Sequence, residues 1–312
     1  MLNTKTQICL DRGGSLVTLD YLRRLHDPAH GGTPPEPMGS RHHPVPFYQL
    51  ADLVISRVER LYTGPGGQFQ VEDMHLALND KQTQVFGLLI IRKKEPVAPV
   101  RTILETDASW SNRMAAFREK LANWRDKPTG WMIGFRGSIN QSISEAMVVG
   151  LKVFLCENLC ISGGANSIFI CQKNTKNGLD NLRNKVTLAL HDAERIVGAI
   201  QHDLDTFRTI PFSISQMAEL TGKAQYNGVV TSQQANEVYR QIRAASLSDD
   251  ERREKEITSH FTGRTLWDAY NHLTEGVKLG RIDNTFEKHA RVHDFCKEIA
   301  DDMKPTPRLL AA

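Results

Sequence analysis

The chain has 312 residues, 40% hydrophobic and 24% charged, with a formal net charge of +3 at pH 7. That balance is ordinary for a folded globular protein and excludes collagen-like or highly charged disordered chains. No run of about 18 uncharged apolar residues occurs, so no membrane-spanning helix is expected.

Residues 1–10 lack the basic and apolar regions of a secretory signal, and a cytoplasmic location is the expectation. Cys9, Cys156, Cys160, Cys171 and Cys296 make an odd number, so reduced, mostly buried thiols are expected. Cys156 and Cys160 are too widely spaced for a CxxC pair. Zinc on Cys156, Cys160 and Cys171 is the alternative to buried thiols, set in apolar surroundings.

The small net charge conceals a segregation. Residues 1–80 hold 7 Lys+Arg against 9 Asp+Glu, residues 81–185 hold 16 against 8, and residues 186–312 hold 16 against 19. The middle third is therefore basic by +8, a pattern that points to an anionic partner.

Residues 1–46 carry the run Asp27-Pro28-Ala29-His30-Gly31-Gly32-Thr33-Pro34-Pro35-Glu36-Pro37 and are expected to form a long loop or an extended arm. His42 and His43 are adjacent, so their side chains diverge, and nothing nearby in sequence completes a metal site. Over residues 47–62, Leu50, Leu53, Val54, Val58 and Leu61 recur at helical spacing, and Thr63-Gly64-Pro65-Gly66-Gly67 ends that helix.

Two strand-like runs follow, residues 68–78 and 83–92, joined by Asn79-Asp80-Lys81-Gln82 as in a β-hairpin. The second run is apolar on both faces and belongs in the middle of a sheet. Arg92-Lys93-Lys94 at its end is either a phosphate-contacting cluster or a solvated strand end. Residues 97–106 could add a third strand. Residues 107–127 read as a helix with Met114, Phe117, Leu121 and Trp124 on one face and Arg113, Arg118, Lys120, Arg125 and Lys127 mostly on others. It would lie on nucleic acid or pack on the sheet with a solvated cationic face.

Residues 130–173 are the most apolar and glycine-punctuated part of the chain, read as strand, helix or long strand, then strand. Its turns, Gly137-Ser138 and Ser162-Gly163-Gly164, offer backbone amides to an anion but match neither nucleotide-loop pattern. The last third is helical. Residues 186–207 read as one long helix. Ser213 with Gln216 and Thr231 with Gln234 are capping boxes opening two more. Leu266, Tyr270, Leu273 and Val277 mark another helix, ended by Gly280, and residues 285–302 the final one, capped by Asn284. His289, His293 and Cys296 share a face of that final helix, but the residue after His289 is Ala290, so no HExxH site exists. No motif asks for a metal, a cofactor or a catalytic residue.

Two segments resemble a known family. Phe135-Arg136-Gly137-Ser138 with the apolar run into Cys156-Glu157-Asn158-Leu159 is similar to that family's central segment, although its histidine and aspartate are absent here. Thr265-Leu266-Trp267-Asp268-Ala269-Tyr270-Asn271-His272-Leu273-Thr274-Glu275 resembles its late helix. The family is the phage- and plasmid-associated domain of unknown function numbered 932. The resemblance spans roughly residues 45–280 and implies a mobile-element context. It transfers no catalytic residue. A hairpin-rich sheet crossed by a helix is also similar in outline to phage single-strand annealing proteins.

The expected fold is α+β: an antiparallel or mixed sheet with flanking helices, followed by a mainly helical C-terminal region. The expected divisions are an arm (1–46), a core with a basic surface (47–185) and a helical region (186–312). The expected function is non-enzymatic binding of nucleic acid, single-stranded DNA foremost, in recombination or replication of a phage or mobile element. Phosphates would meet Arg92, Lys93, Lys94, Arg101, Arg113, Arg118, Arg125 and Arg136, and bases would stack on Trp124 among the tryptophans. The alternative is a protein-interaction factor that inhibits or redirects a host defence protein. Self-association is compatible with both, and no membrane partner is expected.

Overall fold

A computed structural model of the chain describes residues 14–94, 128–153, 159–163, 168–170, 178–247, 251, 263–278 and 284–303. The chain forms two compact units, Met1–Leu159 with Phe169–Glu194, and Cys160–Ile168 with Arg195–Ala312. The fold is α+β. Among the described residues no helix is long and apolar enough to cross a membrane.

The first unit is built on an antiparallel sheet in the order β1 (Gly14–Val17), β2 (Phe69–Asn79), β3 (Gln84–Lys93), β4 (Pro128–Ser138) and β5 (Ala146–Val153). The expected hairpin is β2–β3. Its turn is held by the Asn79 side-chain oxygen, which accepts from the Thr83 and Gln84 amides at 2.8 and 2.9 Å, while Gln82 takes a left-handed φ of 52°. From Val85 through Ile91 every β3 residue is buried, as a central strand requires. Two further short strands, β6 (Leu159–Cys160) and β7 (Ile168–Ile170), lie where the chain passes between the units.

Register across the central pair is locked by size. Gly87 of β3 lies opposite Phe135 of β4, and a Cβ on Gly87 would stand 2.0 Å from the Phe135 ring. Phe135 itself is fully buried. The glycine is therefore the space that the ring fills, and slipping the pair by one residue would turn every side chain to the wrong face.

Residues 14–30 are more ordered than an arm. After β1, Thr18 caps helix α1 (Leu19–His26) by accepting from the Tyr21 amide, and Asp27 caps a short 3-10 turn, Pro28–His30. The proline run prevents a long helix but not this turn, because proline suits a first helical position. Leu22, His26, His42 and Val45 are all buried. His42 accepts from the Met38 amide at 2.9 Å, a structural role. Helix α2 (Phe47–Val58) follows and widens into a π-helical turn, Glu59–Thr63. The unit's last helix is α3 (Gly178–His191). The strand expected at 97–106 and the helix expected at 107–127 lie outside the described residues.

Glu145 immediately precedes β5 and is 3% exposed. Its carboxyl chain lies over Gly137, in the space shared with Leu50 of α2 and Val85 of β3. Its Oε2 has no hydrogen-bond partner among the described residues, and burial pushes the carboxyl up to about 7.

The second unit is helical: α4 (Ala193–Thr209), α5 (Ile214–Tyr226), α6 (Ser232–Ser246), α7 (Leu266–Val277) and α8 (Thr285–Met303). The single helix expected at 186–207 is two helices, α3 and α4, turning at Asp192. Buried residues keep helical spacing on both sides of the turn, so periodicity alone does not register the break. The capping boxes at Ser213/Gln216 and Thr231/Gln234 are formed. A third stands at Thr265/Asp268 and opens α7, the most buried helix. Gly276 lets α7 approach α6: an added Cβ would meet Val238 Cγ2 at 2.6 Å and the Gln234 carbonyl at 2.9 Å.

Gly87→Ala should cost about 3 kcal/mol, the upper range for overpacking a core, because the Phe135 ring has no free volume to enter. Chemical denaturation measures it, and a loss under about 1 kcal/mol would refute the lock. Glu145 gives a second expectation. Its folded value lies above its ordinary 4.5, so the folded state retains a proton that the unfolded chain releases between about 4.5 and 7. Stability should fall as pH rises through that window, by about 3 kcal/mol in all. Glu145→Gln should remove most of that slope, and an unchanged profile would count against the burial account.

Candidate nucleic-acid interface

The basic residues legible in the sequence divide sharply in the fold. Arg92, Lys93 and Lys94 stand at the C-terminal end of β3. There Lys93 pairs with Phe69 and Arg92 with Gln70. Arg92 is bonded to Glu72 at 2.9 Å. Lys94 closes the end of the hairpin: its amide donates to the Gln68 carbonyl at 2.7 Å and its ammonium to the Gly67 carbonyl at 2.8 Å. Lys93 and Lys94 are exposed.

Aromatic side chains gather at the same end. Phe69 and Trp131 approach to 4.5 Å between centroids, Tyr62 and Trp131 to 5.5 Å, and Tyr62 and Phe69 to 5.6 Å, the Tyr62 pairs edge-on. The strand pairing explains this convergence. Phe69 opens β2, and Trp131 lies near the start of β4 opposite Ile91. Tyr62 sits in the π-helical turn just before the Gly64–Gly67 bend and donates its hydroxyl to the Leu190 carbonyl. Burial, with Glu194 adding to it, raises that phenol to about 12, so it stays a donor through the neutral range. Phe69 is buried, whereas Trp131 and Tyr62 are half-buried. Lys152 of β5 is paired with Gly130 and so lies on the other face of the sheet from Trp131, which is paired with Leu151.

Arg136 is elsewhere. It lies five residues further along β4, about 17 Å at strand rise, between Phe86 and Ala146 in the register. At 6% exposure it is a core residue of the sheet. Arg101, Arg113, Arg118, Trp124 and Arg125 lie outside the described residues. Connectivity alone relates them to the site: the segment 95–127 leaves β3 at Lys94 and re-enters at Pro128 of β4, so both its ends join the sheet where Lys93, Lys94 and Trp131 stand.

The sequence did not single out Tyr62, Phe69 and Trp131 as one group. In the hairpin the register sets Phe69 opposite Lys93, next to Arg92. Trp131 needed the β4 register, which no local pattern encodes.

The remaining polar features of the sequence resolve into structure. On α8, His293 is fully buried and its Nε2 lies 3.2 Å from Asp203 Oδ2 on α4. Lys297 donates to the other Asp203 oxygen at 2.7 Å. Burial alone would raise the Asp203 carboxyl, but the hydrogen bonds from His293 and Lys297 outweigh it and hold it below the ordinary value. Lys297 is raised in return. Phe207 and Tyr270 flank the His293 ring at 5.5 and 5.7 Å. His289 and His272 are buried as well.

Cys160 and Cys296 are buried thiols, that of Cys160 pushed up to about 12 by burial and that of Cys296 higher still, so neither is a nucleophile at neutral pH. Cys156 and Cys171 lie outside the described residues. Among the described residues no group of three or more His, Cys, Asp or Glu is arranged to hold a metal. The Ser162-Gly163 turn holds a carboxylate of its own: the Gly163 amide donates to Asp294 Oδ1 at 3.0 Å and the Ser162 hydroxyl lies at 3.3 Å. An internal anion thus occupies the place a phosphate would take. Arg208 lies 4.5 Å over the Trp267 ring, which stacks on Tyr270.

No family model, curated protein or solved structure matches the chain.

Asp203→Asn should destabilise the second unit by about 2 kcal/mol at neutral pH, because it leaves the Lys297 ammonium and the buried His293 without their shared anion. The native carboxyl is depressed, so its contribution is present above its ordinary value and is lost as pH falls below about 4. Denaturation at pH 7 and pH 3 distinguishes the two terms: the variant should differ from wild type at pH 7 and approach it at pH 3. An equal difference at both would refute an ionic role.

Proposed function

We propose that the chain is a non-enzymatic single-strand nucleic-acid-binding protein, with DNA its foremost ligand, and that the basic end of the sheet is where the strand engages. The mobile-element setting, in recombination or replication, follows from the family resemblance. The observation that carries the reading is the shared attachment point. Arg92, Lys93 and Lys94 stand beside the half-buried Trp131, and the segment bearing Arg101, Arg113, Arg118, Trp124 and Arg125 leaves and re-enters the sheet there. Cations that follow a phosphate chain, set beside aromatic faces, are the chemistry of sequence-tolerant single-strand binding.

Of the cations at this end, Arg92 is already bonded to Glu72, and its charge is in part spent within the sheet. Lys93 and Lys94 are the exposed ones. Lys94 uses one donor on Gly67 and keeps two, since an ammonium carries three. Trp131 supplies the stacking face, and its packing on Phe69 and Tyr62 makes that face rigid before any base arrives.

Fluorescence anisotropy with a labelled oligonucleotide of about 30 nucleotides, at about 50 mM salt, tests this. Binding should weaken steeply as salt is raised. The double variant Lys93→Ala, Lys94→Ala should bind about tenfold more weakly and lower the salt dependence by roughly 1.4, about 0.7 for each lost single-strand phosphate contact. Wild-type chain that fails to bind at low salt, or a double variant indistinguishable from it, would overturn the proposal.

A further inference from the structure

The first unit carries a cleft of about 610 Å³, lined by residues of α1, α2, the π-helical turn after α2, and α3. Leu19, Leu53, Ile55 and Leu179 supply its apolar lining. Three guanidinium groups stand around it: Arg23 from α1, Arg57 from α2 and Arg183 from α3.

The three arginines are not equivalent. Arg23 is spent on carboxylates, with one nitrogen 3.1 Å from Asp52 and another 3.4 Å from Asp20. Arg183 is 3.0 Å from Asp180, one turn away on its own helix. Arg57 is half-buried and makes no ion pair among the described residues. A half-buried guanidinium has lost part of its hydration and gains most from an anion that replaces it with paired hydrogen bonds.

The charge around the cleft decides what kind of anion enters. Arg23, Arg57 and Arg183 are set against Asp52 and Glu59 in the lining, with Asp20 and Asp180 bonded to two of the arginines. The cluster as a whole carries no excess of positive charge. It would not attract a polyanion by field, unlike the exposed lysines at the end of β3. It offers one unpaired guanidinium beside apolar surface. That combination suits a single acidic group carrying an apolar body, and the volume is in the range of small-molecule sites.

We propose that this cleft is a binding site for a small amphiphilic organic anion, a carboxylate or sulfonate whose acidic group pairs with Arg57 and whose apolar body lies on Leu53, Ile55 and Leu179. No residue of its lining belongs to the proposed nucleic-acid surface, and the inference does not depend on that reading.

The test uses the full chain and 8-anilinonaphthalene-1-sulfonate, which joins an anionic group to an apolar body and brightens when that body leaves water. Titration should give one saturable site, displaced by decanoate but not by equal concentrations of inorganic phosphate. Arg57→Gln should weaken it about tenfold, as expected for a lost charge-assisted bidentate contact. Arg60→Gln, which removes the same charge from the neighbouring exposed π-turn position outside the lining, should leave it unchanged. Glu59→Gln, which removes an acid from the lining, should tighten it, and keeps the proposal testable should the Arg57 variant misfold. Failure to saturate, equal effects of the Arg57 and Arg60 variants, or displacement by phosphate alone would each overturn it. Displacement by single-stranded DNA would assign the cleft to the nucleic-acid surface and overturn it too.

Discussion

The close approach of Phe135 to Gly87 is the constraint on which the first unit depends. A strand buried on both faces from Val85 through Ile91 has no polar face to fix its register by solvation. Shape must do so instead. The missing side chain at Gly87 and the full ring at Phe135 form one complementary pair at the centre of the β3–β4 ladder. Every other pairing follows from it at strand spacing, including the one that puts Trp131 opposite Ile91 and hence beside Arg92 and Lys93. The position of the candidate interface is thus a consequence of packing about 14 Å away, four residues along β4.

The second unit solves the opposite problem, with polar groups inside a helical interior. Asn271 and Thr274 of α7 are fully buried, and each donates to a carbonyl of its own helix, that of Trp267 at 2.7 Å and that of Asn271 at 2.9 Å. Asp268 folds back to accept from the Gly263 and Thr265 amides at 3.2 and 3.1 Å. Asp203 receives both His293 and Lys297. Asn271, Thr274 and Asp268 are thus committed within and at the start of α7, while Asp203 ties α4 to α8, and desolvation makes each commitment expensive to break.

What could be read from the sequence follows the range of the interaction involved. The hairpin, the central placement of β3 and the two Gln-type capping boxes depend on neighbours within a few residues, and local pattern carried them. The Thr265/Asp268 cap is equally local but escaped a pattern restricted to Glu or Gln at the third position. The ordering of residues 14–30 escaped because the proline run suggested an arm, whereas Thr18 caps helix α1 and Asp27 caps the short 3-10 turn after it. For the candidate site, Arg92, Lys93 and Lys94 were legible as a cluster. Arg136 has the same charge and a similar strand context, but its burial depends on Phe86 and Ala146 across two ladders, and composition has no access to that.

The charge map argues the same way at larger scale. A surplus of +8 over residues 81–185 counts charges without regard to their partners. Arg92 bonds Glu72, Arg183 bonds Asp180, and Arg136 is buried, so these three add little to a surface field. Lys93 and Lys94 lie at the end of β3 and are exposed. A strand end beside half-buried aromatics is thus where segregated charge becomes usable charge. The sheet's geometry, more than the number of its arginines and lysines, decides which of these charges are exposed.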